Sequence, residues 1–115
     1  MWIMISGPYT SGAKTEAERQ ENLDAMNRAA YAVFQKGHVP IIGVNMALPI
    51  IHAMGEATFD EVMMPLALAL IERCDAVLRV GGPSKGADEE VERFRAAGKA
   101  IYKNLEEVPG SLRDV

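Results

Sequence analysis

The sequence predicts an α/β fold with three layers, in which helices cover both faces of a mainly parallel sheet of four or five strands. Short apolar runs with β-branched residues alternate with longer runs at helical spacing. Glycine, proline and serine cluster where the strands would end. A chain of 115 residues can bury one hydrophobic core but not two, so we expect a single domain over residues 1–115.

The first half of the chain shows clear start and stop signals. Thr15 is followed three residues later by Glu18, a capping-box pattern that begins a helix. Apolar residues then recur at helical spacing until Gly37, which is a typical helix stop. We therefore predict a strand at Met1–Ser6, a helix from Thr15 to Gly37 and a second strand at Val39–Val44.

The second half predicts two more strands. Pro49, Gly55 and Pro65 interrupt a helical pattern, which indicates one short helix near 46–54 and another ending near Arg73. The segment Leu66–Ile71 is apolar on every side, so the sheet or another subunit should bury it. The remaining predicted elements are a strand at Ala76–Val80, a helix at Ala87–Ala97, a strand at Ala100–Tyr102 and a polar, peripheral tail at Asn104–Val115.

This order of elements is that of a Rossmann/flavodoxin-like fold. Ligands of such folds bind beyond the carboxyl ends of the strands, where the strand order changes direction. Three loops follow the predicted strands, at Gly7–Tyr9, Gly43–Asn45 and Gly81–Gly86. We therefore expect these loops to converge on one pocket.

Composition and charge exclude several classes of partner. A net charge of −4 gives no basic surface for a nucleic-acid polymer, although a local anion site could still bind a free nucleotide. The longest apolar run, residues 63–71, is far shorter than the roughly 20 residues that span a bilayer. Nothing in the spacing of cysteine, histidine and carboxylates indicates a metal, and no nucleotide-cofactor fingerprint is present. We expect a cytoplasmic protein with no metal and no cofactor.

The start of the helix after the third strand could bind an anion. Gly86 permits close approach of the backbone to a ligand, and Ser84 can donate a hydroxyl hydrogen bond. Free N–H groups of a first helical turn favour negative charge. The acidic residues 88–90 have a simpler explanation as well, because carboxylates at a helix start compensate the helix dipole.

Glu90 is the candidate nucleophile. A carboxylate at the mouth of a pocket can attack an anomeric carbon and form a covalent glycosyl–enzyme. Tyr9, after Gly7 in the first loop, could orient a sugar or Glu90, or could only pack the loop. An exposed first-turn glutamate is the alternative for Glu90 itself.

Two further polar residues are candidates for substrate binding. Asn45, at the end of the predicted second strand, could hydrogen-bond a substrate or cap a helix. Arg79 lies on an otherwise apolar strand. It either reaches a ligand phosphate, pairs with an acid or lies at the edge of the sheet.

The motifs, in their order along the chain, resemble one family. They are Gly7–Tyr9, Arg19, Asn22-Leu23, Met26, Ala29-Ala30, Gly37–Pro40, Cys74–Val77, Ser84–Glu90 and Gly98-Lys99. This arrangement, which covers nearly the whole chain, resembles the nucleoside 2-deoxyribosyltransferase-like superfamily, and within it the small branch called the DUF4406 group. It is also similar to 2′-deoxynucleoside 5′-monophosphate N-hydrolases.

The resemblance implies an N-glycosidic hydrolase or transferase. Counting back from Gly98 places the superfamily's nucleophile on Glu90. The position six residues earlier is acidic in transferases of free nucleosides, and it is a phosphate-contacting serine in relatives that hydrolyse nucleoside 5′-monophosphates. Ser84 stands there, so the implied substrate is a (deoxy)ribonucleoside 5′-monophosphate. Gly7, Asn45, Arg79, Ser84 and Gly86 are the expected binding residues.

The resemblance also implies a homodimer through the 63–71 helix, and it contains one departure. Where characterised members have a positioning aspartate, this chain has Ala67, and Asp60 two helical turns earlier is the available substitute. Two other functions therefore remain open. One is a nucleotide-binding or sensor module without catalysis, and the other is an oligomeric structural protein.

Overall fold

The computed structural model describes residues 1–110 and contains a four-stranded, all-parallel sheet. The strand order is β2-β1-β3-β4. The strands are β1 (Trp2–Ser6), β2 (Val39–Ile41), β3 (Ala76–Arg79) and β4 (Ala100–Tyr102). The helices are α1 (Glu16–Gln35), α2 (Gly43–Met54), α3 (Phe59–Arg73) and α4 (Lys85–Ala96). The predicted fold class is confirmed.

Successive side chains of a strand point to opposite faces of the sheet, and apolar side chains of β1 are packed under helices on both faces. Ile3 and Ile5 of β1 are buried in one apolar cluster with α1 residues such as Met26. Met4, between them, is buried in a second cluster with Phe94 of α4 and with residues of α3. These two clusters produce the three layers, with α1 on one face and α3 and α4 on the other.

The start of α1 follows the predicted capping box. The Thr15 side chain accepts a hydrogen bond from the Glu18 backbone N–H at 3.1 Å, which satisfies one of the free donors of the first turn. At the other end, Gly37 has a φ of +95°, a conformation that favours glycine and ends the helix.

The prediction for the second strand is wrong in its second half. β2 ends at Ile41, and α2 begins at Gly43 with Ile42 as its N-cap. The segment Ile42–Val44 looks like strand continuation because Ile42 and Val44 are apolar and β-branched. Ile42 is instead buried as the N-cap of a helix and Val44 is partly buried in its first turn, where tertiary packing overrides their β preference.

The helices α2 and α3 continue through their prolines, and they end near the predicted residues. Gly55 separates them with a φ of +110°. In the segment Leu66–Ile71 of α3, Ala67 and Ile71 are buried, the three leucines are partly buried and Ala69 is exposed. Within residues 1–110, no helix has both the length and the apolar character needed to cross a bilayer.

The prediction of a peripheral tail is wrong for residues 104–110, the part of the segment that the structure describes. Val108 is buried in the α1-side core, and Leu105 packs against it. The Lys36 ammonium donates hydrogen bonds to the Leu105 and Val108 carbonyls at 2.9 and 2.8 Å. Two apolar residues in a polar stretch are too few to produce a periodic signal. The remainder of the predicted tail, residues 111–115, lies outside the described residues.

Candidate functional site

A cavity of about 200 Å³ opens at the carboxyl ends of the strands. The chain leaves β1 toward β2 on one side and returns to β3 on the other, so a crevice forms between the loops that follow β1 and β3. All three predicted loops contribute to the lining, which confirms their convergence. The residues that line it include Gly7, Tyr9, Ser11, Phe59, Met63, Met64, Ala67, Ser84, Gly86 and Glu90.

Glu90 is the one carboxylate among the described lining residues. It lies on α4 three residues after Ala87 and four before Phe94, both of which are buried, so it shares their inward face. Glu89 and Glu92 are exposed on other faces of the helix. Only Glu90 of these three acids reaches the cavity.

The Glu90 carboxylate is held by Ser6. The Ser6 hydroxyl donates a hydrogen bond to Glu90 Oε1 at 2.6 Å, and the Ala87 carbonyl lies farther away at 3.4 Å. Burial raises the pKa of Glu90, while the Ser6 hydrogen bond and the positive charge of Arg79 oppose the rise. The site therefore contains a carboxylate that is partly desolvated and fixed by one oxygen.

Ser6 is absent from the residues that the sequence predicts for the site. The sequence signal that could have found it is its position as the last residue of β1, two residues after Met4 in the alternation of side chains and therefore on the same face of the sheet. That alternation places Ser6 on the face covered by α4. Ser6 is a polar residue at the end of an otherwise apolar strand and is only 1% exposed, so its hydroxyl needs a hydrogen-bond partner within the protein.

Tyr9 lines the cavity as predicted, but the hydrogen bond that holds Glu90 comes from Ser6. The Tyr9 backbone carbonyl accepts a hydrogen bond from the Asn22 side chain at 2.9 Å, which fixes the loop to α1. A hydrogen bond with Glu16 raises the pKa of Arg19, and the nearby Tyr9 adds to the rise. Contact between Tyr9 and a substrate stays a prediction.

Ser84 has a structural role and also lines the cavity. As the N-cap of α4 it accepts a hydrogen bond from the Ala87 N–H at 3.2 Å. Ser11, which sequence reasoning missed, donates to the Ser84 hydroxyl at 3.3 Å. The helix begins at Lys85, two residues before its predicted start, because Ser84 is its cap. Two hydroxyls from different loops thus meet at the cavity wall.

The two glycines of the predicted site differ in what surrounds them. A Cβ on Gly7 would lie 2.8 Å from the Val80 carbonyl oxygen, so packing of the β1 and β3 ends requires glycine there. A Cβ on Gly86 would meet nothing within 4 Å. Packing therefore explains Gly7, while the space beside Gly86 is open to a ligand.

Asn45 and Arg79 are not among the lining residues of the cavity. Asn45 is an exposed residue in the first turn of α2, because β2 is shorter than predicted, and its side chain donates to Asn27 Oδ1 at 2.9 Å. Arg79 Nε donates to Asp88 Oδ1 at 3.1 Å, and its other nitrogens donate to carbonyls of the loop after β3. The interpretation of Arg79 as the partner of an acid is confirmed.

The α3 side of the cavity is apolar. Phe59, Met63, Met64 and Ala67 form this wall, and Ala67 is buried. Asp60 is exposed and is not among the lining residues. The structure therefore places no second carboxylate beside Glu90 within the described lining.

Comparison of the chain with protein-family models gives no match, and comparison with curated proteins gives none either. The geometry of the cavity is therefore the basis for assigning a function.

Proposed function

We propose that the protein cleaves or transfers the N-glycosidic bond of (deoxy)ribonucleoside 5′-monophosphates, with Glu90 as the nucleophile. The observation that supports this most is the state of Glu90. One of its oxygens is held by Ser6 at 2.6 Å, while Oε2 has no hydrogen-bond partner within residues 1–110. Glu90 lines the cavity, and a partly desolvated carboxylate with one oxygen free of hydrogen bonds is suited to attack an electrophilic carbon.

The proposed reaction has two steps. Glu90 Oε2 bonds to C1′ of the sugar while the C1′–N bond breaks, and the electron pair leaves with the base, which takes a proton from water. The resulting glycosyl ester is then attacked at C1′ by water or by the nitrogen of a second base. The bond between C1′ and Glu90 Oε2 breaks, which restores the carboxylate, and the acceptor gives its proton to solvent. The first acceptor gives hydrolysis and the second gives transfer.

The size and lining of the cavity are compatible with part of a nucleotide. Its volume of about 200 Å³ is below the roughly 300–1,000 Å³ of a typical ligand pocket, so a whole nucleotide would protrude. We place the sugar at Glu90 and the base against the apolar wall of Phe59 and Met63. The phosphate would then lie at the mouth.

Phosphate recognition would depend on hydroxyls and on the backbone. Ser11 and Ser84 supply two hydroxyls, and Gly86 leaves open space at the start of α4. The described lining contains no lysine or arginine. The N-terminal N–H groups and dipole of α4 would therefore stabilise the anion.

The test is incubation of the purified protein with a panel of nucleoside 5′-monophosphates and the matching nucleosides, with chromatographic detection of free base. We expect release from at least one monophosphate, and its loss in Glu90→Gln, which keeps the size and polarity of the side chain. Circular dichroism verifies that both proteins are folded. Absence of base release from every compound by folded protein, or equal turnover by Glu90→Gln, would exclude the proposal.

A binding module without catalysis is the second candidate. Ala67 favours it, because the lining formed by residues 1–110 has no second carboxylate to position a sugar or base. This candidate predicts that a nucleotide binds, is recovered intact, and binds Glu90→Gln equally well. If no nucleotide raises the melting temperature of either protein, the structural role would be favoured, since a ligand at 100 times its Kd stabilises by about 2.7 kcal/mol.

We also propose that a second copy of the chain covers the 63–71 segment of α3. Met64 lines the cavity and is 40% exposed, and Met54 at the end of α2 is 71% exposed. Sedimentation equilibrium should give twice the 12.5 kDa of one chain, and Met64→Glu should lower that mass. A monomer at every concentration would refute the dimer.

A further inference from the structure

We propose that Ser6 is a positioning residue for Glu90 and that the Ser6 hydroxyl fixes one carboxylate oxygen and directs the other oxygen into the cavity. This inference rests on the proposed function, because it assigns Ser6 a role in the attack by Glu90. It concerns a residue that the sequence motifs do not single out.

The geometry leaves the Ser6 hydroxyl one good acceptor. Ser6 is 1% exposed, so water does not compete for its proton. Glu90 Oε1 lies at 2.6 Å and the Ala87 carbonyl at 3.4 Å. Hydrogen bonds of about 2.5–2.7 Å are typical of a hydroxyl donating to a carboxylate. Ser6 is therefore a donor to Glu90.

The position of Ser6 in the sheet gives this hydrogen bond its orienting effect. β1 pairs with β2 on one side and with β3 on the other, so Ser6 is at the end of a central strand. Terminal torsions of glutamate are broad, and a carboxylate without a partner would rotate. Binding of Oε1 to the sheet leaves Oε2 for the substrate and aligns it for attack.

The same hydrogen bond acts on the charge of Glu90. Burial raises the pKa of Glu90, and a donor to the charged form lowers it. Among residues 1–110, the charged group that acts on Glu90 is Arg79 on β3, which is itself paired with Asp88. Tyr9, in the loop after β1, is the other titratable lining residue, and α2 and α3 contribute none to the described lining. Ser6 is thus the donor that directly opposes the effect of burial.

The experiment compares wild type, Ser6→Ala and Ser6→Thr in two measurements. The first is NMR titration of the Glu90 side-chain carboxyl without substrate, assigned by its absence in Glu90→Gln. The second is the pH dependence of kcat/KM for base release. Loss of a hydrogen bond to a charged group should lower kcat/KM by at least about tenfold on the acid side of the profile.

The expected result is that Ser6→Ala moves both the titration of Glu90 and the acid limb of the rate profile to higher pH, whereas Ser6→Thr, which retains the hydroxyl, restores both. A merely structural role of Ser6 would change stability without moving either curve. An unchanged Glu90 titration in folded Ser6→Ala would overturn the inference. If Ser6→Ala does not fold, Ser6→Cys provides a weaker donor of similar size.

The two measurements separate failure of this inference from failure of the proposed function. If wild type releases no base and the Glu90 titration still moves in Ser6→Ala, the proposed reaction is wrong while the control of Glu90 by Ser6 stands. If base is released and both curves stay in place, the reaction stands and Ser6 has no positioning role.

Discussion

Replacement of Ser84 by aspartate separates the cap of α4 from the proposed phosphate contact. Ser84 accepts the Ala87 N–H at 3.2 Å, and aspartate is as good an N-cap as serine. The free energy of unfolding of Ser84→Asp should therefore stay close to that of wild type. The same substitution places a negative charge at the cavity wall, where we propose that the phosphate binds.

The magnitude follows from the charges and from the burial of the position. Two unit charges about 4 Å apart repel by about 1 kcal/mol in bulk water and by about 4 kcal/mol at an effective dielectric constant of 20. A phosphate monoester carries about −1.5 to −2 charges at neutral pH. With the bulk-water repulsion of about 1 kcal/mol per unit charge, the phosphate and the new carboxylate repel by roughly 1.5–2 kcal/mol, which is about a 10- to 30-fold loss of affinity. Ser84 is buried, so we expect a larger loss.

The assay is calorimetric titration of each protein with a nucleoside 5′-monophosphate and with the same nucleoside lacking the phosphate. Ser84→Asp should bind the nucleotide more weakly than wild type and bind the nucleoside with unchanged affinity. Ser84→Ala is the matched control, because it removes the hydroxyl without adding charge and costs about 1 kcal/mol of stability through the lost cap. Its loss of nucleotide affinity should be smaller than that of Ser84→Asp.

Two outcomes would refute this reasoning. If folded Ser84→Asp binds the nucleotide as well as wild type does, the phosphate does not lie at the start of α4. If it loses nucleotide and nucleoside equally, the substitution has damaged the cavity rather than repelled the phosphate.

Three further predictions concern stability, measured by urea unfolding. The pKa of Glu90 is raised in the folded state, so ionisation of Glu90 destabilises the protein as pH rises through that pKa. Glu90→Gln should therefore be more stable than wild type at pH 7, and the difference should vanish below pH 4.5, the ordinary pKa of glutamate. A stability difference that does not change with pH would contradict this. Gly7→Ala should lower the free energy of unfolding by about 1–3 kcal/mol because its Cβ would meet the Val80 carbonyl at 2.8 Å. Gly86→Ala, in the first turn of α4, should raise it by up to roughly 0.5–1 kcal/mol, and equal effects of the two substitutions would show that the Gly7 contact does not matter. Phe94→Ala, at a fully buried side chain, should cost about 3–5 kcal/mol, and a loss below about 1 kcal/mol would mean that the α4 side of the core repacks.

Much of the fold could be predicted because local signals agree with the final packing. The N-cap at Thr15, the glycine stop at Gly37 and the strand at Ala100–Tyr102 all appear in the structure as predicted. For these elements local periodicity and capping signals are sufficient. Glu90 is a different case, because only the family resemblance distinguishes it from its acidic neighbours, and its position on the inward face of α4 is seen in the structure.

The rest of the site depends on contacts between distant segments. The sequence predicts Asn45 at a strand end, but the length of β2 is set by where its pairing with β1 stops, and the residue falls on a helix. The partner of Arg79 is Asp88, on the next element. Ser6 could be linked to Glu90 only with the strand order and the facing helix known. These are tertiary facts that composition and spacing do not encode.

The hydrogen bond between Ser6 and Glu90 also has a consequence for folding. It joins residues 84 positions apart, and it requires β1, β3 and α4 to be assembled together. Contacts between residues so distant along the chain are slow to form, because the loop between them must first be closed. The carboxylate therefore acquires its orientation only when the sheet is complete. Recovery of substrate binding during refolding would therefore report formation of the complete native structure, and early helical intermediates would show no binding in that assay.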